Sequence, residues 1–419
     1  MNLTNKVETM TDTNILATTF RIKDGIEVKN RFFKSAMSEQ LGDKNHNPTK
    51  GLARLYKTWS EGGTGLLVTG NVMVDRNALG EPKNVVLDGE SDLTSFKRWA
   101  EAAKSAGAQV WMQLNHPGKQ IPRFLNKSPV APSAVPLEAG LEAIFNEPKA
   151  LTEDEILAII KRFAESAKLA KESGFDGVQI HGAHGYLVSQ FLSQRHNKRT
   201  DRWGGTLENR MLFVKEVYRA IRENVGDTFP IGIKLNSADY MKGGFTHEES
   251  MQVVKALEEE GIDLIEVSGG TYESPSMVGH KIKESTRKRE AYFLEYAEEI
   301  RRIVKTPLVV TGGFRSGEAM EAALQSGATD MIGLARPLAV QPDLPNRILE
   351  DRLYRIEIKS PTTGLKMVDK MTMLDITWYE TQLARMAKGK LTKPNQSAWT
   401  TVFQTLSGMG MHAFKQRRA

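Results

Sequence analysis

The sequence predicts an α/β protein: one (β/α)8 TIM barrel with an N-terminal hairpin and a helical C-terminal extension. Three observations predict it. Eight short apolar, β-branched runs alternate with amphipathic helical stretches, the pattern of βα units wound around a parallel sheet. Glycine followed closely by aspartate opens three of the runs, Gly174 with Asp176, Gly261 with Asp263 and Gly327 with Asp330, as helix C-caps feeding one face of a closed barrel would. Polar residues and further glycines gather at the opposite, C-terminal ends of the runs, where barrels of this kind place their active sites.

The elements follow in order. TTFRIKDGIEV holds two short alternating stretches around Lys23-Asp24-Gly25, a hairpin signal that suits a plug for the barrel floor. The strands are FFKSAM (32–37), GLLVTGN (65–71), AQVWMQL (108–114), FDGVQIH (175–181), PIGIKL (230–235), IDLIEVSG (262–269), PLVVTGG (307–313) and DMIGLAR (330–336). Among the helices, TEDEILAIIKRFAESAKLAKES (152–173) opens on a capping box, Thr152 with Glu155, and stops before Gly174. The barrel is expected to occupy residues 1–344, and residues 345–419 to form an extension that is not an independent domain. One helix is expected in that tail, TWYETQLARMAKGK (377–390), followed by a polar break at LTKPNQS and no readable chemistry.

Composition narrows the chemistry. The 419 residues, 40% of them hydrophobic, suffice for one large barrel, and no run of about 18 apolar residues is available to span a bilayer. The N-terminus lacks the apolar core of a signal peptide, so a soluble, cytoplasmic protein is expected. With no cysteine there is no disulfide, no thiolate-ligated iron–sulfur cluster and no cysteine nucleophile, so redox chemistry requires a non-covalent cofactor. The net charge of +6 comes partly from HKIKESTRKR (280–289) and KQRR near the end. Without a nucleic-acid motif these segments read as solvated surface or a pocket rim, not as a nucleic-acid site.

The strand ends supply the candidate site. They carry Ser38, Gly70, Gln113 and His116, then His181, His184 and Tyr186, Lys234, Ser268, Gly312-Gly313, and Ala335-Arg336. A bare Gly-Gly is usually only a tight turn, but the loops after strands seven and eight often bind phosphate in this fold, and here Arg336 faces the glycine pair across those loops. A phosphorylated cofactor is therefore expected. His181-Gly-Ala-His184 lacks a third ligand at a recognised metal spacing, so no metal site is expected; two core histidines satisfied by backbone are the bland alternative. The functional reading has both imidazoles donating to one substrate oxygen while Tyr186, a phenol with a pKa near 10, gives a proton. That combination suits the stabilisation of an enolate.

DGVQIHGAHGYLVSQFLSQRHNKRTDRWGGTLENR (176–210) resembles the signature of the Old Yellow Enzyme family of flavin-dependent ene-reductases. The resemblance continues in KSAMSEQ (34–40), GLLVTGNVMV (65–74), QLNHPGKQ (113–120), VVTGGF (309–314) and GLARP (333–337), covering roughly residues 15 to 340. It implies FMN, bound non-covalently, reduced by NADPH or NADH, with hydride passed to the β-carbon of an activated alkene, an α,β-unsaturated carbonyl or nitro compound. By the same resemblance His181 and His184 bind the substrate oxygen and the nicotinamide amide, and Tyr186 protonates the α-carbon. Gln113 and Lys234 would face the flavin pyrimidine edge. Ala36, Met37, Ser38, Gly70 and His181 would lie against the ring, and Gly312, Gly313, Ala335 and Arg336 would hold the phosphate. The segment from Arg199 to Gly205 and Glu208-Asn-Arg210 would brace the active-site loop.

Three positions depart from the family pattern. Lys234 stands where many relatives have arginine, Ser38 replaces the cysteine of one subgroup, and Gln40 replaces that subgroup's substrate-contacting tyrosine. Gln40 is kept as a substrate-binding candidate. Two alternatives stay open: an FMN barrel of desaturase or dienoyl-reductase type, and a non-catalytic flavin-binding interaction protein. The expected partner is a small molecule, with no nucleic acid or membrane, and the chain leaves room for a homo-oligomer such as a dimer.

Overall fold

The computed structural model describes residues 14–138, 140–271, 273, 290–291 and 293–416. Among them, eight parallel strands close a barrel: β1 (Phe32–Lys34), β2 (Leu66–Val68), β3 (Gln109–Asn115), β4 (Gly177–Gly182), β5 (Ile231–Asn236), β6 (Leu264–Ser268), β7 (Leu308–Thr311) and β8 (Met331–Leu334). Each pairs with the next in sequence, and β8 pairs with β1 through Gly333 and Phe33, which completes the ring. Most strands are shorter than the apolar runs that announced them, because those runs continue into the loops that carry the site; β3 and β5 are as long as theirs.

Alternation along each strand sorts the residues into an inner and an outer set. Outward residues such as Val178, Ile180, Ile233, Leu235, Ile265 and Val267 join one buried cluster with Phe163, Phe213, Val217 and Val253 of the surrounding helices. These come from α3 (Glu153–Glu172), α5 (Leu207–Val225) and α6 (His247–Glu260), which follow α1 (Lys50–Glu61), α2 (Leu93–Lys104) and the short α4 (Leu187–Leu192). Inward residues form layers. The lowest is apolar, Phe33, Leu66, Trp111, Leu264, Val309 and Met331, and rests on Ile22 and Val28 of the hairpin Phe20–Lys23/Ile26–Val28. Gly25 makes the hairpin turn at φ 78°. Trp111 fills the middle of this layer, and a Cβ on Gly177 would lie 2.7 Å from its ring. One step higher along the same strands the layer is polar: Ser35, Gln113, Gln179, Lys234, Glu266 and Thr311.

The glycine–aspartate pairs form a repeated clasp at the opposite face. Gly174, Gly261 and Gly327 take φ of 83°, 94° and 72°, so each helix can turn back into a strand. The aspartate that follows accepts the backbone N–H that starts the preceding strand: Asp176 from Val110 (2.9 Å), Asp263 from Ile231 (2.8 Å) and Asp330 from Leu308 (2.8 Å). Each also meets a cation of the preceding helix: Lys104, Arg222 and, on α7 (Leu294–Arg301), Arg301.

After β8 the chain continues through α9 (Arg336–Val340), α10 (Leu344–Glu350), α11 (Lys366–Met371), α12 (Leu374–Ala387) and α13 (Ala398–Gln416), with α8 (Gly317–Gln325) lying between β7 and β8. The tail is thus richer in helix than the single segment expected from sequence. Trp378, Leu383 and Met386 of α12 are buried with Leu52, Leu55 and Tyr56 of α1, and Arg54 donates to the Ala387 carbonyl at 2.9 Å. The basic segment 280–289 and most of the stretch after β6 lie outside the described residues, as do the last residues of KQRR. Among the described residues no helix is long and apolar enough to cross a membrane.

Candidate active site

β4 delivers His181 inward, and the loop behind it returns so that three rings meet. The imidazole centroids of His181 and His184 are 5.2 Å apart at 81°, and the Tyr186 ring is 4.8 Å from His181 at 71°. All three predicted residues are brought together. The Ala183 N–H donates to His181 Nδ1 at 3.3 Å, so the proton of the neutral ring resides on Nε2. Burial, with His184 and Lys234 nearby, holds the His181 pKa well below its ordinary value of 6.5; burial and Lys234 do the same to His184. Both rings are neutral donors at physiological pH.

His184 adopts φ 60°, a left-handed conformation costly for a residue with a side chain. Three contacts hold it there. Its N–H donates to Asn236 Oδ1 (3.2 Å), its carbonyl accepts from Gln120 Nε2 (3.1 Å), and its Nε2 shares a hydrogen bond with Ser268 Oγ (2.8 Å). Tyr186 caps the short helix α4 as its first flanking residue and is buried. Bracing comes from the next segment, as expected. Arg210, itself buried, reaches Glu249 at 2.5 Å and the Leu192 carbonyl, while Arg199 holds the Pro132 and Leu151 carbonyls.

Below the histidines the polar layer is continuous. Gln113 Nε2 donates to Gln179 Oε1 (2.7 Å), Gln179 Nε2 donates to Glu266 Oε2 (2.9 Å), and Glu266 Oε1 takes both Lys234 Nζ (3.1 Å) and Thr311 Oγ1 (2.9 Å). Ser35 Oγ completes the run, 2.7 Å from Thr311 Oγ1.

At the ends of β1 and β2, Gly70 sits where no side chain fits: a Cβ would lie 1.9 Å from Glu39 Oε2 and 2.4 Å from the Met37 carbonyl. Its N–H is taken by Tyr56 Oη (2.9 Å) and Glu39 Oε1 (3.1 Å), so Gly70 offers a ligand van der Waals contact instead of a hydrogen bond. Ala36 packs on the barrel interior and Met37 on the outer cluster. Ser38 Oγ donates to Glu81, and Gln40 Nε2 donates to both oxygens of Glu380 at 3.0 Å. Burial and the neighbouring Glu81 push the Glu380 carboxyl up to about 8. Gln40, offered from sequence as a substrate contact, thus spends its Nε2 on α12.

At the ends of β7 and β8, Gly312 and Gly313 take φ of 117° and 101°, and Ala335-Arg336 open α9 beside them. Arg336 and Arg315 flank the Tyr379 phenol, whose pKa burial raises and the two cations pull back. Sequence reasoning missed Gln179, Glu266, Asn236, Arg315, Tyr379 and Glu380. The signal for Glu266 was present, an acid set inside the apolar run LIEV of strand IDLIEVSG; Tyr379 and Glu380 lie in a tail in which no chemistry was readable from sequence. Among the described residues no three His, Cys, Asp or Glu side chains gather to hold a metal ion.

Residues 16–354 match the model of the NADH:flavin oxidoreductase / NADH oxidase family. The NADH-dependent flavin oxidoreductase iccE of Talaromyces variabilis is 36% identical over 411 residues, covering 89% of this chain and 98% of its own. Among solved structures, 2-naphthoyl-CoA reductase superposes with a TM-score of 0.75 at 29% identity, over 81% of this chain and 52% of that one; this chain thus spans about half its length. The old yellow enzyme homologue of Zymomonas mobilis superposes with a TM-score of 0.69 at 26% identity, over 82% and 95%.

Proposed function

Because the chain belongs to the NADH:flavin oxidoreductase / NADH oxidase family, and within it resembles the Old Yellow Enzymes, we propose that it is an FMN-dependent ene-reductase of activated alkenes. The observation that carries the reading is the meeting of two neutral imidazoles and a phenol, His181, His184 and Tyr186, at the mouth of the barrel. The donor set fits FMN. Two guanidiniums, Arg315 and Arg336, lie near the Gly312-Gly313 turn for a dianionic phosphate, and the Gln113 amide and Lys234 ammonium serve the pyrimidine edge. Bound FMN supplies the hydride, received from NADH or NADPH and delivered to the β-carbon of the alkene.

The residues of the chain do the rest. His181 Nε2–H and the His184 ring donate to the carbonyl or nitro oxygen, and this draws electron density from the double bond. Because burial keeps both rings neutral, they donate hydrogen bonds without surrendering a proton. Tyr186 gives its phenolic proton to the α-carbon, a general-acid contribution of about 10²–10⁴ in rate. Lys234 stabilises negative charge at the pyrimidine edge. Ser38, Gly70 and Ala36, with the backbone of Met37, would hold the flavin ring at the ends of β1 and β2.

The test is an anaerobic visible spectrum of the purified protein, titrated with NADH or NADPH and then with 2-cyclohexenone. A flavin band that bleaches with coenzyme and returns with the enone is the expected result. No flavin band, even after reconstitution with FMN, sinks the reading. Tyr186→Phe is expected to bleach normally and to recover about 10²-fold or more slowly; unchanged recovery would remove Tyr186 from the role of acid.

A further inference from the structure

We infer that Glu266, within the polar layer, is a positioning residue that governs two groups at once: it sets which way the Gln113 amide faces, through Gln179, and it offsets the charge of Lys234. This rests on the FMN reading above and deepens it. A carboxylate only accepts. Gln179 must therefore turn Nε2 toward Glu266 Oε2, at 2.9 Å, which leaves its Oε1 for Gln113. Gln113 in turn spends one N–H on that oxygen, at 2.7 Å, and is left with its own Oε1 and one N–H for a ligand. Rotation of either amide by half a turn would set two donors or two acceptors face to face. The direction of an amide three strands away is thus decided by a single carboxylate.

The second half of the inference concerns charge. Glu266 is fully buried and Lys234 nearly so, 3.1 Å apart, and the other partners of Glu266 are the neutral donors Gln179 and Thr311. In such a site the ammonium and the carboxylate compensate each other strongly. Lys234 therefore presents less net positive potential to a bound flavin than an unpaired lysine would. With Glu266 neutralised, the ammonium would find its counter-charge in the reduced, anionic flavin.

The experiment compares wild type, Glu266→Gln, Glu266→Asp and Gln179→Met, each reconstituted with FMN, by FMN affinity and by the flavin midpoint potential. Glu266→Gln is expected to favour reduced over oxidised FMN about tenfold more than wild type, a rise of about 30 mV for a two-electron couple. Glu266→Asp, which keeps the charge, is expected to return the potential toward wild type. Gln179→Met breaks the relay while leaving the ion pair, and is expected to weaken FMN binding about tenfold with the potential unmoved; it serves in place of Glu266→Gln if that variant does not fold. Wild-type affinity and potential in a folded Glu266→Gln, or wild-type affinity in Gln179→Met, overturn the inference while the functional reading stands. Wild-type protein that takes up no FMN overturns both.

Discussion

The position of one proton on His181 is decided by a single backbone amide, that of Ala183, and the neutrality of the ring by burial. The same burial acts on other histidines. His116 is held down to about 4 and His196, whose Nδ1 lies 2.9 Å from Lys119 Nζ, to about 2, both by burial first. Their unfolded forms take up a proton near 6.5 while the folded forms resist it, so their contribution is complete above that pH and fades as pH falls toward 4. His116 alone is expected to cost roughly 3 kcal/mol by pH 4. Because Glu380, raised to about 8, gains stability as pH falls over the same range, the test compares wild type with His116→Gln: the wild-type denaturant midpoint is expected to fall further between pH 7.5 and 5 than that of the variant, and an equal change would show that His116 titrates normally in the fold. At this scale the sequence displayed His181, His184 and Tyr186 because they share one short segment. It showed Ser268 at a strand end without its partner and hid Asn236 and Gln120; all three hold His184 in its left-handed conformation, and no local pattern links residues brought together only by barrel closure.

The elements were legible wherever local chemistry and tertiary role agreed. Thr152 and Glu155 make the capping box that the spacing announced, and all three aspartates after helix-ending glycines clasp the strand before them. The last helix was not legible. Its sequence AWTTVFQTLSGMGMHAFKQ carries two glycines, three threonines and a valine, residues of weak helix propensity, so nothing local argued against the polar break that precedes it. The clasps are strong enough to test singly. Asp263 is nearly buried, accepts Ile231 N–H and meets Arg222 and Lys23. Asp263→Ala leaves those partners unanswered and is expected to destabilise by about 3 kcal/mol, read by chemical denaturation. A loss below about 0.5 kcal/mol would mean that the clasp follows the fold and does not hold it.

For the whole molecule, the relation of barrel to tail decides how the site is completed. We propose that residues 345–419 are part of the barrel's cooperative unit, because α12 buries Trp378, Leu383 and Met386 against α1 and brings Tyr379 beside Arg336 and Glu380 beside Gln40. A single calorimetric transition is expected, and Leu383→Ala should lower it as a whole, by about 2–4 kcal/mol. Two separate transitions, only one of them moved, would make the tail its own domain. The clasps also divide the barrel unevenly. Each aspartate–backbone bond joins an odd strand to the even strand after it, β3 to β4, β5 to β6 and β7 to β8, so none of them spans the exposed turn 226–228 between α5 and β5, which is crossed instead by the ion pairs of Asp263 with Arg222 and Lys23. A chain opened at that turn keeps every aspartate–backbone bond within one fragment or the other, and leaves the ion pairs of Asp263 with Arg222 and Lys23 to join the two, whereas a break between β5 and β6 severs one of the backbone bonds. The molecule therefore carries a built-in seam, at which it can be supplied as two polypeptides or be given new ends with every aspartate–backbone bond intact and charged pairs of Asp263 left to draw the two sides together.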